Sequence, residues 1–230
     1  MKRVLIAGAL GGIGAACARA AEARGCQVAG VDRGTFDITP AGGAGAAVAH
    51  AVDQLGGLDG IVHAVGMSGR GLGDGPAGQC TDEAWQEVLR VNLDSAFYLI
   101  RAGLNALSAG GGSIVVIGSA LAATLDADFL TVAYATAKGA LLPLVRSAAF
   151  SGAPHGVRVN IVAAGLVDTP MARRAMTDPA IQQRMPELMP LGQRACTPGE
   201  VAEAVMWLLS DASSRTTGAV IPVDGGWQLR

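Results

Sequence analysis

Val4-Leu5-Ile6-Ala7-Gly8-Ala9-Leu10-Gly11-Gly12-Ile13-Gly14 decides the fold. Four apolar residues run straight into a glycine cluster, and from Ile13 to Arg24 apolar residues recur with the period of a helix. Strand, glycine turn and helix form the context in which such glycines hold a dinucleotide. Lacking side chains, they let the backbone turn tightly and approach a pyrophosphate. The helix amino terminus adds free N–H groups and the positive end of its dipole. Gly8, Leu10, Gly12, Ile13 and Gly14 are the candidate contacts. From these residues alone, a turn that merely permits close helix packing reads equally well.

The next segment favours the nucleotide. Gln27 to Val31 reads as a second strand and Asp32 closes it, about 20 residues past the glycines, where a carboxylate accepts hydrogen bonds from both adenosine ribose hydroxyls. A 2′-phosphate would be repelled there, so NAD is expected over NADP, although neighbouring Arg33 could greet a phosphate instead. Asp37-Ile38 reads as the end of a further strand against the adenine, with an Asx turn ahead of Thr39-Pro40 as the alternative for Asp37. Asp37 follows Asp32 by only five positions, so these two strands would be joined without a crossover helix.

Outward from there, apolar runs at 58–65, 113–117, 157–162 and 219–223 alternate with helical patterns at 82–107 and 132–151. Such alternation predicts a single-domain α/β fold: a Rossmann-type, doubly wound parallel sheet with helices on both faces, spanning residues 1–230. The Gly/Ala-rich piece from Ala41 to Ala49 reads as a helix start. Thr197-Pro198-Gly199-Glu200 announces another helix through a capping box with proline in its first turn.

Composition narrows the function classes. The chain has 17 Lys and Arg against 19 Asp and Glu, a net charge of −2 with no basic run, so nucleic-acid binding has no electrostatic support. Four scattered cysteines and three histidines show no metal-ligand spacing and no disulfide framework. No stretch approaches the roughly 20 unbroken apolar residues of a membrane span, and the first apolar run is too short for a signal-peptide core. A cytoplasmic protein is expected.

A second constellation lies in Tyr134-Ala135-Thr136-Ala137-Lys138. Phenol and ammonium, four residues apart on a helix, share one face about 6 Å apart along the axis. A nearby cation favours phenolate, which would bring this acid/base toward working pH. Tyrosine can then shuttle the proton that accompanies a hydride. Ser119 follows the strand at 113–117, at the end where a doubly wound sheet opens its ligand crevice, and its hydroxyl can polarise a carbonyl. An amphipathic accident and a serine in a Gly-Ser turn are the bland alternatives.

Taken together, these residues resemble the short-chain dehydrogenase/reductase family over nearly the whole chain. Gly8, Gly12 and Gly14 fit its Gly-x-x-x-Gly-x-Gly, Asn92 stands in Val91-Asn92-Leu93, and Ser119, Tyr134 and Lys138 complete a tetrad. The tail Ile221-Pro222-Val223-Asp224-Gly225-Gly226-Trp227 fits as well. The resemblance implies hydride transfer between NAD(H) and a secondary alcohol or ketone. In it Tyr134 is the acid/base, Ser119 orients substrate, Lys138 binds the nicotinamide ribose and Asn92 holds a water in the proton relay. It places Ala64 and Gly66 beside the cofactor, and Thr169 with the Val167 backbone against the nicotinamide carboxamide. Gly11 stands near where NADP-using members often carry a basic residue, which again points to NAD. Ala7, His63-Ala64-Val65-Gly66 and Ala164 depart from the family pattern, all at cofactor-supporting positions. The short connection after Asp32 resembles members acting on cyclic diols.

Residues 168–197 match the family's variable substrate loop, with Met171, Met176, Met185 and Met189 suited to an adaptable apolar pocket, and Arg173 or Arg174 able to clamp a carboxylate. The family pairs its long helices across two-fold axes, implying a homotetramer or homodimer. An NADPH-dependent carbonyl reductase and a nucleotide-sensing regulatory protein without turnover remain the rival readings.

Overall fold

The computed structural model describes residues 2–229, so Met1 and Arg230, the ends of the expected domain, lie outside the described residues. Six parallel strands form one sheet: β1 (Arg3–Ala7), β2 (Gln27–Val31), β3 (Gly60–His63), β4 (Gly112–Ser119), β5 (Val157–Ala164) and β6 (Val220–Val223), in spatial order β2-β1-β3-β4-β5-β6. Because side chains alternate across a strand, the inner strands feed two cores. Val4, Ile6, Val62, Val115 and Ile117 pack on one face with α1 (Gly12–Glu22) and α9 (Pro198–Leu209). Leu5, Ile61, Ile114 and Val116 pack on the other with α2 (Gly43–Leu55), α4 (Ser95–Leu107) and α5 (Val132–Gly152). The doubly wound α/β architecture read from the sequence is the one observed.

Two local expectations differ. No strand forms at Asp37–Ile38. The Asp37 carboxylate instead accepts from Thr39 N (2.9 Å) and Thr39 Oγ1 (2.7 Å), the Asx-turn alternative, and those bonds hold its pKa below the ordinary value. The crossover thought to be missing is α2, which carries the chain from β2 past β1 to β3.

The long helix expected at 82–107 is in fact α3 (Asp82–Leu89), a π-turn (Arg90–Asp94) and α4. In the π-turn Ser95 N reaches back to Arg90 O, and the carbonyls freed by the wider turn find side chains. Asn92 Nδ2 donates to Val88 O (3.0 Å), and Ser95 Oγ donates to Val91 O (2.6 Å).

The segment between β5 and α9 folds into α6 (Arg173–Thr177), α7 (Pro179–Gln183) and α8 (Met185–Leu188). Arg184 ties it to the loop after β4 by pairing with Asp126 (2.6 Å) and Asp128. The α9 capping box is present, with Thr197 Oγ1 accepting from Glu200 N and Glu200 accepting from Thr197 N (2.7 Å). No helix among the described residues is long and apolar enough to cross a membrane.

Candidate active site

The strand order reverses between β1 and β3, and the loops leaving these two strands open a crevice at their carboxyl ends. Gly8 leaves β1 with φ +85°, and a Cβ there would stand 2.7 Å from Ala64 O. The turn then folds so tightly that a Cβ on Gly14 would come within 2.0 Å of Gly8 O. No side chain caps the amino terminus of α1, so its first-turn N–H groups are left to a ligand or solvent. Asp32 bridges β2 to this turn: Oδ2 accepts from Leu10 N (3.0 Å) and Oδ1 from Arg33 N (2.8 Å).

A cavity of about 400 Å³ is lined by Gly8, Leu10, Asp32, Asp37, Ile38 and Gly11, among others. A second, of about 320 Å³, holds Ile13, Ser119, Tyr134, Lys138, Val167 and Thr169. Ala64, Val65 and Gly66 line both, so the two join at the switch point. Gly12 and Gly14 line neither. Gly12 lies under Thr169, whose Cγ2 would be 2.6 Å from a Cβ there, so the loop after β5 closes onto the start of α1.

Ser119 is the last residue of β4, and its Oγ accepts from Leu121 N (3.2 Å). Tyr134 stands in the first turn of α5, where Asp74 takes both Ala133 N and Tyr134 N at 3.0 Å each. One turn on, buried Lys138 donates from Nζ to Ile117 O (2.9 Å), with Nζ 5.8 Å from the Tyr134 ring centroid. Burial pushes its amine down to about 8.

The phenol departs from expectation. Burial raises the Tyr134 pKa, opposed by the Ser119 hydroxyl hydrogen-bonded to it, rather than the ammonium drawing it down. Desolvation outweighs a cation that is itself desolvated and engaged with a carbonyl.

Asn92 is fully buried behind the cavity wall. Its amide is spent on Val88 O and Met67 O (2.9 Å), and its Oδ1 accepts from Met67 N (3.2 Å). A Cβ on Gly66 would lie 2.8 Å from Asn92 Oδ1 and 3.5 Å from Lys138 Nζ, so Gly66 lets the two approach. His63, fully buried, shares a 2.8 Å hydrogen bond between Nε2 and Ser95 Oγ.

Sequence reasoning missed Asp74, Arg70 and Phe129. Asp74 sits in a glycine-rich stretch without periodicity, and nothing local marks it as the residue that seats α5. Arg70 and Phe129 join Arg174 and Trp227 in the wall of the second cavity. Arg173, the other clamp candidate, is exposed like Arg174 but lies outside that lining.

Residues 34–228 match the family model described as enoyl-(acyl carrier protein) reductase. The chain is 35% identical to galactitol 2-dehydrogenase (L-tagatose-forming) of Cereibacter sphaeroides over 94% of its length and 82% of the relative's. It is 33% identical to cis-4-hydroxycyclohexanecarboxylate dehydrogenase of Sinomonas cyclohexanicum, covering 97% and 95% of the two chains. The ligand-free aldohexose dehydrogenase of Thermoplasma acidophilum superposes with a TM-score of 0.87 at 28% identity, covering 100% of this chain and 94% of that one. With its strand-turn-helix crevice and parallel sheet, the chain belongs to the short-chain dehydrogenase/reductase family of oxidoreductases.

Proposed function

We propose that the protein is an NAD(H)-dependent oxidoreductase interconverting a secondary alcohol and a ketone, with residues 1–230 acting as one dinucleotide-binding and catalytic unit. The observation that carries this reading is the meeting of Ser119, Tyr134 and Lys138 in one cavity that adjoins the glycine-turn crevice. A dinucleotide fits the residues present: the glycine turn has no side chain where a pyrophosphate would lie, the α1 N–H groups are uncapped, and Asp32 stands where the ribose hydroxyls would donate. Both named curated relatives are dehydrogenases of hydroxyl-bearing compounds, which supports the alcohol/ketone class.

When bound, the nicotinamide supplies the hydride acceptor or donor and, oxidised, a positive charge that favours the Tyr134 phenolate. Tyr134 takes the hydroxyl proton as the carbinol C–H bond breaks, and returns it in the reverse direction. Ser119 donates to the substrate oxygen, holding it against the phenol and stabilising the charge that develops there. In the reductive direction Lys138, with a proton that burial makes easier to release, reprotonates the Tyr134 phenolate, and it is the candidate to bind the ribose. Asn92 anchors the π-turn beside Lys138 and is the candidate holder of the relay water.

Titration of the purified protein with NADH and NADPH, followed by nicotinamide absorbance across secondary alcohols and ketones, tests the proposal. Tight NADH binding with turnover is expected, and Tyr134→Phe keeps the binding while losing most of the rate, at least about 100-fold. Tighter binding of NADPH would overturn the cofactor assignment, and wild-type rates in Tyr134→Phe would overturn the proton-transfer role.

A further inference from the structure

The wall of the 320 Å³ cavity is chemically divided. Ser119 and Tyr134 contribute hydroxyls to it; Leu121, Met171 and Trp227 provide apolar surface; and Arg70 and Arg174 add two guanidinium groups. The two arginines come from different parts of the chain, Arg70 from the 3₁₀ turn Arg70–Leu72 after β3 and Arg174 from α6. Both donate from Nη2 to a single oxygen, the backbone carbonyl of Asp128, at 2.9 Å and 2.8 Å. Arg174 also lies over the Phe129 ring, 5.5 Å from its centroid.

One carbonyl does not neutralise two cations. The carboxylates at hand are already engaged: Asp126 and Asp128 by Arg184, and Asp74 by the amino terminus of α5. Among the described residues no carboxylate forms an ion pair with Arg70 or Arg174. Arg70 is half-buried and Arg174 exposed; burial first, then the Arg174 charge, pushes the Arg70 pKa below the ordinary value against a weaker opposing pull from Asp74 and Asp128. Each guanidinium has N–H donors left after its bond to Asp128, and such planar forks match a carboxylate in a bidentate way. Two like charges brought together on one carbonyl at the cavity wall leave a site that an anion would complete.

We propose that the substrate is a hydroxy acid, or in the reverse direction an oxo acid, of compact apolar body. Its carboxylate is held by Arg70 and Arg174 while its carbinol faces Ser119 and Tyr134. The assignment of the carbinol end rests on the oxidoreductase reading above. The carboxylate end rests on the two arginines alone.

The test is isothermal titration with cyclohexanecarboxylate as probe and cyclohexylmethanol as its neutral counterpart, on the protein alone and saturated with NADH. The acid is expected to bind at least tenfold more tightly than the alcohol. Arg174→Gln and Arg70→Gln are each expected to weaken the acid by about 10- to 100-fold and leave the alcohol unchanged. Arg70→Lys retains the charge without the fork and is expected to weaken it less. NADH affinity, read by nicotinamide fluorescence, should be the same in all variants and reports their folding.

Equal binding of acid and alcohol, or acid binding that survives Arg70→Gln with Arg174→Gln, overturns the proposal. Competition by inorganic phosphate or methanesulfonate that is stronger than the carboxylate's overturns the choice of anion. If NADH binds to no form, the oxidoreductase reading fails, while the probe titrations on the protein alone still decide the arginine site.

Discussion

His63 shows how a single side chain carries consequences in two directions. Ser95 Oγ donates to Val91 O, so the 2.8 Å bond from His63 Nε2 is one the imidazole must donate, leaving Nδ1 buried without a hydrogen-bond partner. Burial foremost, then the Lys138 charge, pushes its pKa down to about 3 from an ordinary 6.5. Folded His63 thus stays neutral where an unfolded one would protonate. Its contribution to stability is whole above pH 6.5 and falls as the pH drops toward 3, by about 1.4 kcal/mol per pH unit. Urea unfolding of wild type and His63→Asn from pH 7 to 4.5 should show the variant losing stability less steeply by about that slope. Parallel profiles would mean His63 titrates normally. At the other end of the crevice, Asp32→Ala is expected to narrow the preference for NADH over NADPH by at least about tenfold in competitive binding, through loss of the ribose acceptor and of the repulsion toward a 2′-phosphate. An unchanged ratio would move the discrimination elsewhere.

At the scale of elements, helix termini place the chemistry. Asp74 satisfies two orphan N–H groups of α5, one of them Tyr134's own. Asp74→Ala should cost about 1–3 kcal/mol of stability and lower kcat far more than NADH affinity, because the helix that carries the phenol loses its seat while the glycine turn is untouched. Denaturation with single-turnover kinetics would separate the two effects. Thr197→Ala, by contrast, removes a cap remote from Tyr134 and should cost about 1 kcal/mol with turnover retained. The capping box was legible because its partners are three residues apart. The Asp74 cap was not, because donor and acceptor lie 59 and 60 positions apart. The π-turn escaped for a related reason: the apolar period of 82–107 continues through it, and only the Asn92 and Ser95 bonds reveal the shift.

At the scale of the molecule, the helical face of α3, α4 and α5 leaves Trp85, Phe97 and Phe150 exposed at 38%, 41% and 85%. Large apolar side chains left exposed on helices favour burial against another copy, in keeping with the homotetramer or homodimer that the family resemblance implies. Light scattering is expected to give a mass of two or four chains, and Phe97→Glu with Phe150→Glu to shift it downward. A monomeric wild type would overturn this expectation.

Sequence by itself determined what near neighbours in the chain decide. The alternation of strand and helix, the glycine turn after β1, Asp32 at the end of β2, the Tyr134–Lys138 spacing and the Thr197 cap all follow from periodicity or contacts within a few residues. Tertiary structure alone decided which distant groups share a cavity and what surrounds them. It seats α5 on Asp74, raises the Tyr134 pKa by burial, replaces a strand at Asp37–Ile38 with a turn bound to Thr39, and brings Arg70 and Arg174 to one carbonyl from more than 40 residues away on either side. Local patterns are written in spacing, whereas desolvation and charge balance depend on which segments the packed sheet and its loops bring together.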